Sequence, residues 1–295
     1  MSLEPIGEMM RRARAGGYAV GYFESWSIDS LYGVIDAAEA MRSPVIIGFN
    51  GEFLSHPGRV AVERLALYGA LGRAAAEAAS VPCGFIFNEC AQDDWTRAAV
   101  TAGFNLVMPA DAAAPLADYT HRVADITAFA HAHDVAVEAE IGELPFGSPG
   151  DTSHGAAPTG AGEAAAFVAA TGIDLLAVSV GNIHVALSGQ FGLDLDRLAQ
   201  IAGAVPVPLV LHGGTGIEAS ALKAAIGLGV AKVNYGTYIK QRYLAALRGA
   251  ISVDERDPHV LLGLGSERDL LVIGRNAVRE AVLQRMPLLG SAGKA

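Results

Sequence analysis

Eight short apolar runs alternate with helical patterns along the 295 residues, and polar groups recur where those runs end. Together these observations predict an α/β chain folded as one (β/α)8 (TIM) barrel with extra C-terminal helices. Alternation of this kind builds right-handed βαβ units, and eight of them suit a barrel, typically about 250 residues long. An open doubly wound sheet is the structural alternative.

The candidate strands are residues 18–23 (YAVGYF), 44–49 (PVIIGF), 83–88 (CGFIFN), 104–110 (FNLVMPA), 135–142 (VAVEAEIG), 174–181 (DLLAVSVG), 207–213 (VPLVLHG) and 230–236 (VAKVNYG). Most are nearly continuous apolar runs, the pattern of strands buried on both faces. Helical patterns lie between them at 29–42, 92–103, 117–133, 194–204 and 218–229. Two segments exceed a minimal barrel within the single domain expected over 1–295. Residues 144–162 (LPFGSPGDTSHGAAPTGAG) are rich in Gly, Pro and Ser and lack apolar periodicity, which predicts a mobile lid loop. Residues 254–295 predict a helical extension packed on the barrel or on another subunit.

Composition narrows the function classes. The chain is 52% hydrophobic and 18% charged, a balance suited to a buried parallel sheet under small-residue helices. Its net charge of −10 argues against nucleic acid as the main partner. Anionic ligands stay open, because a local site can oppose the global charge. The two cysteines, Cys83 and Cys90, cannot build a disulfide framework, which points to a reducing, cytoplasmic setting. The opening stretch carries charges where a secretory signal has its apolar core. No apolar run approaches the roughly 20 residues of a membrane-spanning helix.

Catalysis in a barrel sits at the C-terminal ends of its strands. Those ends carry Glu24, then Asn88 and Glu89, then Glu138 and Glu140, then 181–184 (GNIH), 212–216 (HGGTG) and 234–237 (NYGT). His184 and His212 are the sharpest pair. Imidazole nitrogens with a third, carboxylate ligand and an open position suit Zn²⁺; Glu89 is the best placed carboxylate and Glu140 the reserve. The plainer alternative makes both histidines hydrogen-bonded core or loop residues. Gly213, Gly214 and Thr215, with Asn234 and Thr237, suggest an anion site built from backbone N–H groups and helix N-termini. Taken as ordinary turns and caps, the same residues need no ligand.

These residues also carry a family resemblance. Residues 17–23, 41–48, 137–142, 172–184, 207–217 and 228–237 resemble, in order, segments of the class II, metal-dependent ketose-bisphosphate aldolases, which include fructose- and tagatose-bisphosphate aldolases. The resemblance implies a (β/α)8 barrel that is a homodimer or homotetramer, and a catalytic Zn²⁺ held by three histidines. His184 and His212 match two of these. Gly181, Gly213, Thr215, Asn234 and Thr237 match positions that bind the phosphate of dihydroxyacetone phosphate, and Glu140 matches a glutamate near the metal. The family typically has Asp-His at the end of the third strand, where this chain has Asn88-Glu89. That aspartate exchanges a proton with the C4 hydroxyl, and the histidine is the remaining ligand. Glu89 restores a two-His, one-carboxylate set, whereas Asn88 is a neutral amide and no general base. Relatives usually have Asn at the position of Glu24.

The function expected is therefore a metal-dependent aldehyde-lyase acting on a phosphorylated ketose through a dihydroxyacetone-phosphate-like enediolate. The metal is Zn²⁺, with Mn²⁺, Mg²⁺ or Fe²⁺ favoured by a more anionic ligand set. Glu24, Glu140 and the lid's Glu143, Asp151 and His154 are candidate bases, and Asn88 orients substrate. The rival readings are a phosphosugar isomerase or epimerase at the same metal, and a non-catalytic sugar-phosphate binder.

Overall fold

A computed structural model describes residues 2–111, 114–142, 144, 146–147, 158–183, 185–186, 191–251 and 255–295. In chain order the elements are α1 (Ile6–Gly16), β1 (Val20–Ser25), α2 (Ile28–Met41), β2 (Val45–Asn50), α3 (Gly51–Ser55), α4 (Leu65–Ala78), β3 (Cys83–Cys90), α5 (Asp93–Ala102), β4 (Leu106–Pro109), α6 (Leu116–His131), β5 (Ala136–Ile141) and β6 (Phe146–Gly147). They continue with α7 (Ala161–Thr171), β7 (Leu175–Val178), β8 (Val185–Ala186), α8 (Leu195–Ala204), β9 (Leu209–Leu211), α9 (Ala219–Gly227), β10 (Val230–Tyr235), α10 (Thr237–Ile251), α11 (Pro258–Leu261) and α12 (Leu270–Leu289).

β1 pairs in parallel with both β2 and β10, so the sheet closes in the order β1-β2-β3-β4-β5-β7-β9-β10. Closure excludes the open-sheet alternative. The two-residue strands β6 and β8 pair outside the barrel. Most of the segment 144–162, with Glu143, Asp151 and His154, lies outside the described residues; Ala161 and Gly162 begin α7. Among the described residues no helix is long and apolar enough to cross a membrane.

Side chains of the barrel strands divide by alternation. Val20, Tyr22, Ile46, Ile86, Leu106, Met108, Leu175, Ala177 and Val210 fill the barrel interior, where α1 adds Ile6, Met9, Met10 and Ala13. Phe23, Ile47, Phe85, Phe87, Val137, Ala139, Leu176 and Leu211 point outward under the helices. This division decides which polar residue at each strand end turns inward.

α12 packs against α2 and α10. The crossing is close because Gly33 faces it: a Cβ there would stand 2.5 Å from the carbonyl oxygen of Arg275 and 2.8 Å from the Cβ of Val278. Arg275 in turn grips Asp36 with both ends of its guanidinium. Gly33→Ala is expected to cost about 1–3 kcal/mol by overpacking, read as a lower urea midpoint at unchanged m-value.

Candidate active site

Two glutamates on β5 share its inward face, because Val137, Ala139 and Ile141 take the outward one. Glu138 is fully buried, and an isolated carboxylate there would be costly. It is compensated from two sides. Lys232 Nζ of β10 lies 2.7 Å from Oε2, and His212 Nε2, just beyond β9, lies 3.0 Å from Oε1. Burial alone would raise the Glu138 carboxyl; Lys232 and His212 outweigh it and hold it below the usual carboxylate range. Lys232 also donates to Asn234 Oδ1 at 2.7 Å. Loss of hydration keeps its ammonium below the ordinary lysine value despite the attraction of Glu138.

An ionised Glu138 accepts only, so Nε2 of His212 carries the proton of that bond. Nδ1 then faces two more carboxylates, Glu89 Oε1 and Glu140 Oε2, each 3.1 Å away. Burial would lower the pKa of His212, but Glu140, Glu138 and Glu89 together hold it well above the ordinary imidazole value. Asn182 Nδ2 donates to the His212 carbonyl at 3.1 Å, tying the loop after β7 to this strand end.

Glu89 reaches this cluster through an unusual backbone. Phe85 and Phe87 face the helices, and strict alternation would send Glu89 outward with them and Cys90 inward, yet Cys90 packs under the helices. Instead Glu89 has φ +54°, in the left-handed region, and the register between β3 and β4 shifts between Phe87 and Cys90. A non-glycine residue pays strain in that region. Asn50, at the end of β2, holds the result: its Nδ2 donates to Glu89 Oε2 at 2.8 Å, while its Oδ1 accepts from Phe53 N and caps α3. Asn50→Ala should lower stability by about 1 kcal/mol through the lost cap. It should also lower kcat about 10–100-fold through a loosened Glu89, measured side by side by urea unfolding and steady-state assay.

The glycine-rich loops lie together. The Gly214 N–H donates to the Asn234 carbonyl at 3.0 Å, joining HGGTG to NYGT. Gly213 and Gly181 adopt φ of +66° and +98°. Thr215 is half-buried, and Thr237 starts α10. The Nδ2 of buried Asn234 has no hydrogen-bond partner among the described residues.

The structure thus brings Glu89, Glu140 and His212 together and joins the Gly213–Thr215 and Asn234–Thr237 loops. Asn88 is buried at the end of β3, and its Oδ1 has no partner among the described residues. Glu24 has Lys240 as an ion-pair partner at 2.5 Å. His184 lies outside the described residues. Tyr22 is buried inside the barrel, and Trp26 packs edge-on against Tyr243. Burial pushes the Cys90 thiol up, which suits a packing neighbour rather than a nucleophile. Asn50, Lys232 and Lys240 are not singled out by the strand-end pattern of the sequence. Lys232 left a signal, since a lysine within the apolar run VAKVNYG needs a buried partner.

Among the described residues no three His, Cys, Asp or Glu side chains are spaced around a metal ion. The chemistry of the donor set nevertheless fits one. Two carboxylates converge on the Nδ1 of an imidazole already oriented through Nε2, and Glu140 Oε1 has no hydrogen-bond partner among the described residues. Carboxylate-oriented histidine is the usual arrangement behind a metal ligand.

Comparison with known proteins agrees with this architecture. The family model for Fructose-bisphosphate aldolase class-II matches residues 4–294. A fructose-bisphosphate aldolase of Geobacillus stearothermophilus is 30% identical over 298 residues, covering 100% of this chain and 99% of that one. Another, of Thermus caldophilus, is 32% identical over 319 residues, with 98% of each chain covered. The crystal structure of the YdjI aldolase from Escherichia coli K12 superposes with a TM-score of 0.83 at 31% identity, covering 99% of both chains. A closed barrel with acidic and imidazole groups at its strand ends, matched over nearly its whole length, belongs to the class-II fructose-bisphosphate aldolase family of lyases.

Proposed function

We propose that the protein is a metal-dependent aldehyde-lyase that makes or breaks a C–C bond in a phosphorylated ketose, through a dihydroxyacetone-phosphate-like enediolate. The observation that carries this reading is the convergence of Glu89 and Glu140 on His212 Nδ1. His212 and Glu89 would hold a divalent cation, Zn²⁺ first and Mn²⁺, Mg²⁺ or Fe²⁺ as alternatives, with His184 as the third ligand expected from sequence. When bound, such a cation supplies Lewis acidity to the substrate's carbonyl and adjacent hydroxyl oxygens.

The chain's own residues do the rest. Glu138, anchored by Lys232, keeps the His212 ring in one orientation. Glu140, whose Oε1 has no hydrogen-bond partner among the described residues, takes the hydroxyl proton whose loss starts cleavage and returns it in the reverse direction. Glu24 is already engaged by the ammonium of Lys240, 2.5 Å away. Asn88 Oδ1 accepts a hydrogen bond from a substrate hydroxyl and positions it. Gly181, the Gly213–Thr215 loop and the Asn234–Thr237 loop receive the phosphate. The family likeness supports a cytoplasmic homodimer or homotetramer.

Fructose and tagatose bisphosphates, assayed with and without added divalent metals, test the reading. Metal-dependent release of dihydroxyacetone phosphate is expected. Solvent deuterium uptake without fragments would make the enzyme an isomerase or epimerase, and ligand-induced thermal stabilisation with neither would make it a binder. Glu140→Gln should lower kcat about 100-fold or more while metal content stays; loss of metal instead would make Glu140 a ligand.

A further inference from the structure

Glu24 and Lys240 form a charged pair beside the anion loops. The pairing of Phe23 with Tyr235 sets Glu24 next to Gly236, the third residue of NYGT. Contact there is so close that a Cβ on Gly236 would overlap Glu24 Oε2. Oε1 accepts from Lys240 Nζ at 2.5 Å, and Lys240 belongs to the first turn of α10. The same ammonium lies 4.1 Å over the Phe53 ring and 5.9 Å over that of Trp26.

A carboxylate and two aromatic faces therefore fix the cation in place, yet its side chain remains about a third exposed (32%) while that of Glu24 is nearly buried (10%). Lysine has three N–H donors, so an ammonium already held by one carboxylate can still bind another anion. On β10, two residues before Gly236, the buried Asn234 offers Nδ2 as a donor without a partner among the described residues, its Oδ1 being taken by Lys232. A cation held in the first turn of a helix that begins in the NYGT loop is arranged for a phosphate monoester. Glu24 adds an opposing charge to the same spot.

We infer that Lys240 is the charged recognition residue for the substrate's phosphate and that Glu24 competes with that phosphate for its ammonium. The pair is a specificity element: Lys240 attracts the anion, and Glu24 sets how tightly it is held. The identity of the anion rests on the aldolase reading above, whereas the competition itself does not.

Calorimetric titration of the full-length holoenzyme tests it, with inorganic phosphate and dihydroxyacetone phosphate as probes and uncharged dihydroxyacetone as the control. Lys240→Met is expected to weaken both anions about tenfold or more and to leave dihydroxyacetone unchanged. Lys240→Arg should retain most of the affinity, and Glu24→Asn should tighten both anions severalfold. Steady-state kinetics of Lys240→Met should show the change in KM rather than kcat. Equal anion affinity in wild type and Lys240→Met, or a parallel loss of dihydroxyacetone, overturns the inference. So does a wild type that binds no inorganic phosphate at millimolar concentration. Should Lys240→Met fail to fold, the tightening in Glu24→Asn decides, and its absence overturns the proposal. A wild type that shows the anion pattern but cleaves no phosphoketose sinks the aldolase reading alone.

Discussion

Replacing Lys232 with methionine is expected to destabilise the protein by about 3–5 kcal/mol, the usual cost of breaking a buried ion pair from one side. Lys232 and Glu138 are both fully buried, 2.7 Å apart. Without the ammonium, Glu138 is left with His212 among the described residues against the burial that already works to raise its pKa. A second substitution, Glu138→Gln, should recover part of the loss, because the stranded charge is then removed. Urea unfolding of the two single variants and the double variant measures the coupling. A cost below about 1 kcal/mol for Lys232→Met would mean that the pair carries little of the interior's stability. Activity should fall as well, since Glu138 orients the His212 ring.

Glu89→Ala is expected to strip the divalent metal and lower kcat at least about 100-fold. Elemental analysis of purified protein and steady-state turnover measure the two effects. Unchanged metal content would move the carboxylate ligand to Glu140. Stability should separate from activity in this series. Glu89→Gly should be about 1–2 kcal/mol more stable than Glu89→Ala, because φ +54° is strained for a residue with a Cβ and easy for glycine. Equal stability of the two variants would show that the backbone relaxes once the carboxylate leaves Asn50 and His212.

The barrel was legible because its signal is local. Nearly continuous apolar strands at 44–49 and 83–88, divided by helical periods, leave few ways to bury both faces of a sheet. The inward pairing of Glu138 with Glu140 was legible for the same reason, since residues two apart share a strand face. Glu89 followed a different rule. Alternation from Phe85 and Phe87 points it at the helices, and the left-handed backbone at that residue turns it into the site while Cys90 takes the outward face. Asn50 was silent in sequence because its importance lies in a partner 39 residues away. Lys240 belongs to an ordinary helical turn until β1 brings Glu24 against it.

By itself, then, the sequence determined the fold class, the end of the barrel where polar groups collect, and the residue types available there. Periodicity and strand-end chemistry are properties of neighbouring residues, and neighbours are what a sequence displays. The tertiary structure decided which of those residues meet: that Glu138 belongs to Lys232 as well as to His212, that Glu89 and Glu140 share one imidazole nitrogen, and that Glu24 answers to Lys240. Charges buried in a closed barrel must find their counterparts across it, and the closure of β1 on β10 that brings those counterparts within reach is written in no single stretch of chain.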